Sequence, residues 1–160
     1  MYKRQILDLS TKIPMTADGL AAIVAAGGQS GINKSDLLPF AESAAKMGVA
    51  FDITADQAGE MMAKWRTAFK MGQPEVIALA DKINYLGNTT AASAPLISDV
   101  VTRVGPLGAV GGVASGEIAA LGASIVGAGI NSEMGATGIK NLILALSLIH
   151  ISEPTRLGMI

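Results

Sequence analysis

A chain of 160 residues can bury one ordinary core and is short for two. Half of it is apolar but only 4% is aromatic, so the apolar mass is Ala, Ile, Leu, Val and Met joined by 19 Gly, a mixture suited to closely approaching helices. A formal net charge of −1 leaves no basic footprint for a phosphate backbone and argues against nucleic-acid recognition; the absence of cysteine removes disulfides, thiol catalysis and thiolate metal sites together.

In chain order the pattern is helix after helix. Thr16-Ala-Asp opens an apolar run through Ile23 and Val24, expected to stop at Gly27-Gly28. Ser35 or Asp36 can cap the next helix, which tolerates Pro39 in its first turn, buries Leu38, Ala41, Ala44 and Ala45, and is expected to close at Gly48. Thr54-Ala-Asp-Gln57 reads as a capping box, the threonine oxygen and the glutamine amide each satisfying a backbone donor. Apolar residues follow at Ala58, Met61, Met62, Trp65 and Phe69, one face of a 3.6-residue period, with Glu60 and Lys64 paired on the wet side. Core packing is the default reading of that stripe, and pairing with another copy is the alternative.

Gly72-Gln-Pro74 starts a fourth helix with Val76, Ile77, Leu79, Ala80, Ile83 and Leu86 as its buried stripe and Gly87 as its stop. From Ser93 a fifth carries Leu96, Ile97, Val100, Val101 and Val104, a helical rather than alternating spacing, and is expected to end at Gly105-Pro106. Residues 106–116 read as a loop. Ser115 is expected to cap a sixth helix through Ile118, Leu121 and Ile125, and Asn131 or Ser132 a seventh through Ile139, Leu142, Ile143 and Leu146. The expected fold class is all-α, about seven short amphipathic helices joined by Gly, Pro and Asn turns in an irregular bundle, with no β-sheet. The shared Thr-Ala-Asp at Thr16 and Thr54 is a faint sign of internal repetition, because helix caps draw on few residue types.

The chemistry-bearing residues are sparse. Ser-His-Asp, Cys-His and zinc-water catalysis need a supply of histidine or cysteine that one histidine, His150, does not meet. Asp52, Asp56, Glu60, Glu75, Asp81 and Asp99 stand near helix starts or on polar faces, where they complement the helix dipole. Between Arg103 and Lys140 there is no lysine, so the glycines from Gly105 to Gly116 do not make a phosphate-binding loop. No catalytic, cofactor-binding or metal-binding residues are therefore expected, and no cofactor. Gly108, Gly112 and Gly116 recur every four residues; they are either a flexible connector or, if helical, a small-residue ridge.

No secretory signal is expected, because Met1 to Asp8 are charged and polar where an apolar stretch should stand. A membrane span needs about 20 apolar residues. The best run, Ile118 to Ser132, is bracketed by Glu117 and Glu133, and Leu142 to Ile149 is shorter, so a soluble chain is expected. The low-charge stretch Val104 to Ile139 keeps open a membrane-active alternative of pore-forming or lysis type.

Three stretches carry a family resemblance. Gly48-Val-Ala-Phe-Asp-Ile-Thr-Ala-Asp-Gln57, Leu79-Ala-Asp-Lys-Ile-Asn-Tyr-Leu-Gly-Asn-Thr-Thr-Ala-Ala-Ser-Ala-Pro95, and Gly116-Glu-Ile-Ala-Ala-Leu-Gly-Ala-Ser124 with Gly138-Ile-Lys-Asn-Leu-Ile-Leu-Ala-Leu146 resemble the core region of phage tail tape measure proteins. The likeness is closest to members from contractile-tailed temperate phages and covers nearly all of Ile6 to Leu146. It implies a structural and assembly protein, not an enzyme. Copies of a long helical chain occupy the virion tail lumen after assembly in the host bacterial cytoplasm, and chain length sets tail length. The implied partners are the tail tube protein, tail assembly chaperones, baseplate or tail-tip proteins and other copies of itself. Contact with the host inner membrane during DNA ejection is also implied, and sequence-specific nucleic acid is not. Even fully helical, the stretch would reach only about 200 Å, so it would be a fragment of the ruler.

The two ends resemble something else. Met1-Tyr-Lys-Arg-Gln5 and Ser147-Leu-Ile-His-Ile-Ser-Glu-Pro-Thr-Arg156 are similar to translated sequencing-adapter DNA, which would make residues 1–5 and 147–160 foreign and 6–146 the helical fragment. Setting them aside removes Lys3, Arg4 and Arg156 from the basic count and Glu153 from the acidic one, so the remainder is slightly more acidic. It also sets His150 aside.

Overall fold

The structure, a computed structural model, describes the backbone of residues 2–151 and the side chains of residues 4–147. Eight helices and no strand occur among them: α1 (Tyr2–Lys12), α2 (Ala17–Gln29), α3 (Leu37–Phe51), α4 (Ala55–Phe69), α5 (Gln73–Thr89), α6 (Ala94–Val110), α7 (Ser115–Gly127) and α8 (Ser132–Ile151). The all-α expectation holds. The helix beyond the seven expected is α1, which takes in the backbone of Tyr2 to Gln5, and α8 continues through Ser147 to Ile151. Met1 and residues 152–160, with the side chain of His150, lie outside the described residues.

The caps act as local chemistry requires. Thr16 Oγ1 accepts the N–H of Gly19 at 3.1 Å, and Thr54 Oγ1 that of Gln57 at 3.3 Å while the Gln57 amide oxygen accepts the N–H of Thr54 at 3.1 Å, completing the box. Asn131 Oδ1 accepts the N–H of Glu133 at 2.7 Å and so caps α8. The cap of α7 is Ala114 rather than Ser115; alanine has no oxygen to offer, and Glu117 instead accepts the Ala114 N–H at 3.1 Å. Glu75 does the same for Gly72 at 2.7 Å. The expected Glu60–Lys64 pair forms at 3.0 Å on exposed side chains.

Four expected stops are overrun. α2 passes Gly27-Gly28, α3 passes Gly48, α5 passes Gly87, and α6 passes Gly105-Pro106 to end at Val110. The first three glycines in this set that are buried or half-buried, Gly27, Gly48 and Gly87, serve packing: a Cβ on Gly27 would stand 2.9 Å from the Phe40 ring, and one on Gly87 2.8 Å from the backbone N of Ala94. At Pro106 the helix loses only the bond to the Thr102 carbonyl, and Gly105 has no Cβ to clash with the proline ring. True termination comes from left-handed residues beyond the helix end, Asp52 at φ 54° and Lys70 at φ 53°, and from Gly31, Gly112 and Gly129 at positive φ.

The helix starts expose an order that the expected irregular bundle lacks. Thr16, Thr54, Ser93 and Asn131 precede α2, α4, α6 and α8 at intervals of 38, 39 and 38 residues. Four residues after each lies Leu20, Ala58, Ile97 or Gly135, all buried; eight after lies Val24, Met62, Val101 or Ile139, the first half-buried and the rest buried. The chain is four helical hairpins, α1–α2, α3–α4, α5–α6 and α7–α8, in the manner of a repeat array. The Thr-Ala-Asp tripeptides mark two of its units.

The second helices form one layer in which each runs parallel to the one before. Gly19 meets Ala55 and Gly59 meets Ile23 between α2 and α4, and Phe69 meets Gly105 between α4 and α6. Gly111 meets Ile143 between α6 and α8. The first helices make the other layer, with α5 touching both α3 and α7. One continuous apolar core runs between the layers, its largest fully buried side chains including Trp65, Phe40, Leu20, Ile23 and Met62. Several residues of the expected stripes lie outside it: Leu38 and Met61 are half-buried, and Ile77, Leu96, Leu121, Leu142 and Leu146 are exposed. Helical period alone does not separate the centre of a buried face from its margins.

Two predictions follow from the packing. Gly87→Ala should lose about 1–3 kcal/mol in urea unfolding, because backbone occupies the space of the new methyl, while Gly138→Ala, open on all sides within α8, should gain about 0.4–1 kcal/mol. Ser98 is fully buried with a hydroxyl that has no partner, and its places in the other hairpins are Ala21, Gly59 and Ala136. Ser98→Ala should therefore raise stability by about 1 kcal/mol, and a loss of stability in urea unfolding would mean that the hydroxyl is satisfied.

Candidate functional site

Three places in the array carry more than routine packing. The first is the seam between α4 and α6, where the two halves of the chain join. Trp65 is fully buried there, and its indole N–H donates to Thr102 Oγ1 at 2.9 Å. The Thr102 hydroxyl in turn donates to the backbone carbonyl oxygen of Ser98 at 2.8 Å. An indole N–H taken out of water needs an acceptor, and Thr102 is placed one turn before Pro106 to supply it. Below the tryptophan, Ala68 and Phe69 rest on Gly105, where an added Cβ would stand 3.1 Å from the Phe69 ring.

The second is a polar clamp between α6 and the start of α8. Asp99 Oδ2 accepts from Arg103 Nε at 2.8 Å and from Ser132 Oγ at 2.7 Å, and Arg103 reaches on to Glu133 at 2.9 Å. The hydrogen bond that Arg103 donates to Asp99, then the charge of Asp99, raises the guanidinium pKa above its ordinary value, and Glu133 adds to this. The pairs are partly exposed, so the clamp orients α8 more than it stabilises it.

The third is an open groove of about 1210 Å³ along the ends of α2, α4 and α6, lined among others by Gln29, Lys64, Phe69, Met71, Val110 and Val113. It holds cations and apolar surface but no carboxylate or histidine.

The acidic residues named from sequence do not converge. Asp56 and Glu75 sit in first turns, Glu60 pairs with Lys64, Asp81 is exposed on α5, and Asp99 belongs to the clamp. Asp52 is exposed two residues before the Thr54 cap of α4, and it also ends α3 in a left-handed conformation, which a short polar side chain tolerates. No three His, Cys, Asp or Glu side chains are placed to share a metal ion among the described residues. The three spaced glycines also part company. Gly108 lies within α6 against Ile118, Gly112 makes the turn at φ 70°, and Gly116 sits in the first turn of α7 beside Lys82, so neither connector nor ridge describes them together. No helix among the described residues is long and apolar enough to cross a membrane.

A family model described as phage-related minor tail protein matches residues 3–156. The chain belongs to that family. It is also 35% identical over 136 residues to a "Probable tape measure protein" of Halomonas phage phiHAP-1, a match covering 80% of this chain and 16% of that relative. The chain thus spans about 16% of the length of the curated relative it matches. No solved structure matches it.

For a phage tail structural protein, working parts made of packing surfaces are the natural arrangement, and the seam is the most developed of them. Sequence reasoning named Trp65 and Phe69 but not their seat on α6. Thr102 carries no periodic signal, and Gly105 reads as a helix stop; their contact with α4 is set by tertiary packing.

The seam makes a quantitative prediction. Thr102→Val should cost about 1–3 kcal/mol by stranding the buried indole N–H, and much less when Trp65 is already Phe. A double-mutant cycle by urea unfolding should return a coupling near 1 kcal/mol, and none if the hydrogen bond is incidental.

Proposed function

We propose that this chain is a segment of a tape measure protein from a contractile-tailed temperate phage, acting by structure rather than catalysis. It is assembled with tail chaperones in the host cytoplasm and housed in the tail tube lumen, against the tube protein and the tail-tip proteins. The observation that carries this reading is the likeness to the tape measure relative over most of the chain, within a matched tail protein family. Residues 1–5 and 147–160 are, on the same reading, foreign to the segment.

The fold bears on what such a segment contributes. A ruler needs rise per residue. An extended helix gives about 1.5 Å per residue, or roughly 57 Å for one 38-residue interval. A hairpin in a stack advances it by only one interhelix spacing, about 10 Å. The described array is therefore a poor ruler by itself, and length is set by extended helical stretches elsewhere in the parent protein, with this region as a folded structural element.

The membrane-active alternative gains nothing from the structure. Residues 104–139 are divided among the end of α6, the whole of α7 and the start of α8, and Ile118, Ala119, Ala123 and Ile139 are spent on the core.

Tail length measured by electron microscopy tests the proposal. In-frame removal of 38 residues from extended helical stretches of the parent gene should shorten tails by roughly 57 Å. Removal of one hairpin from this array should shorten them far less or block assembly. Tails of unchanged length after the first set of deletions would end the ruler reading.

A further inference from the structure

The two middle hairpins meet differently in the two layers. In the second layer α4 and α6 are in close contact: the Trp65 indole donates to Thr102 at 2.9 Å, and Phe69 rests on Gly105. In the first layer a cleft of about 210 Å³ stands between α3 and α5. Lys46, Met47 and Ala50 line it from α3, and Ile77, Ala80 and Asp81 from α5. Met62 of α4 lines it from the second layer. Met47 and Met62 are almost fully buried, yet Ile77, which by its period belongs to the buried stripe of α5, is 37% exposed. Packed interiors leave few voids larger than a water molecule, so a gap of this size forfeits contacts that both walls could make.

The geometry is a wedge with its apex at the seam. On the apex side the hairpins are also tied by the short link Lys70, Met71 and Gly72, and Arg66 reaches across it to Gln73 at 2.9 Å. On the open side the rim carries opposite charges that do not meet. Lys46 bonds Glu42 on its own helix at 2.7 Å, in a pair whose side chains are well exposed. Asp81 is exposed and makes no hydrogen bond or ion pair among the described residues.

We propose that the chain carries a hinge at its middle: α1–α4 and α5–α8 rock about the α4–α6 seam, and the cleft between α3 and α5 closes with Lys46 and Asp81 meeting across it as a latch. Closure seats Ile77 on the α3 wall and expels the water of the cleft. The pivot is placed where α6 is already weakened, since Pro106 removes a helical hydrogen bond beside Gly105. An exposed ion pair is worth little, so the latch biases the two forms rather than fixing one. Both walls and the pivot belong to this chain. The inference therefore stands whether or not the tape measure reading does.

The full chain has no cysteine, so Val49→Cys and Tyr85→Cys, both exposed, put one spin label on α3 and one on α5 and nowhere else. Pulsed electron double resonance at low salt should then resolve a short and a long distance. Asp81→Lys sets two cations across the cleft and should lower the ratio of short to long roughly two- to fivefold. Salt at about 1 M should move the unaltered pair in the same direction. Adding Lys46→Glu to Asp81→Lys restores opposite charges and should bring the short distance back. Ile77→Trp should wedge the cleft and leave only the long one. Glu60→Lys breaks the exposed pair with Lys64, does not line the cleft, and should change nothing. All these positions are exposed, and helical circular dichroism should match the wild type. A distance distribution that Asp81→Lys and salt both leave unchanged overturns the proposal. So does a charge swap that fails to restore it, a short distance that survives Ile77→Trp, or an equal response to Glu60→Lys.

Discussion

Parallel neighbours in the second layer are held at the distance that missing side chains allow. Gly59 lies against the backbone of Ile23, Gly105 under Phe69 and Gly111 against Ile143, so each of the three successive junctions has a glycine on one side. A helix surface with a gap of this kind admits a ridge from its neighbour, and bulky residues then fill the space left between layers. That is why a chain with so little aromatic mass has a continuous core: Trp65, Phe40 and the β-branched residues are placed where glycine and alanine have made room.

Polar groups control register rather than supply cohesion. The caps at Thr16, Thr54 and Asn131 determine where α2, α4 and α8 begin, and a helix that begins at the right residue turns its apolar face to the core. The clamp of Asp99, Arg103, Ser132 and Glu133 settles how α8 lies on α6 where no large side chain does so. Left-handed residues such as Asp52 and Lys70 end the helices sharply and return the chain for the next hairpin.

Stacked hairpins and extended helices are opposite uses of the same residues. A stack maximises buried area per residue and sacrifices rise; an extended helix does the reverse and leaves its apolar face in need of a partner. The described part of this tail-family chain takes the first course: its helices fold back as hairpins and bury their apolar faces on one another. The groove at the ends of α2, α4 and α6 is lined by cationic and apolar side chains.

The sequence by itself determined that the chain is helical, where most helices begin, and that α4 carries its apolar stripe at Ala58, Met62 and Trp65. These depend on contacts within four residues, and such contacts are legible in the order of the letters. It did not determine where helices end, because Gly27, Gly48 and Gly87 look like stops and are in fact points of close approach to Phe40, Met15 and Ala94. A glycine that ends a helix and one that admits a neighbour have the same side chain. Nor did it separate the buried residues of a helical stripe from the exposed ones, so Leu142 and Leu146 read as core. A helical period gives the angle of a residue around its own axis, but only the placement of neighbouring axes decides what lies in that direction. For Leu142 and Leu146 that placement leaves about half of each side chain exposed.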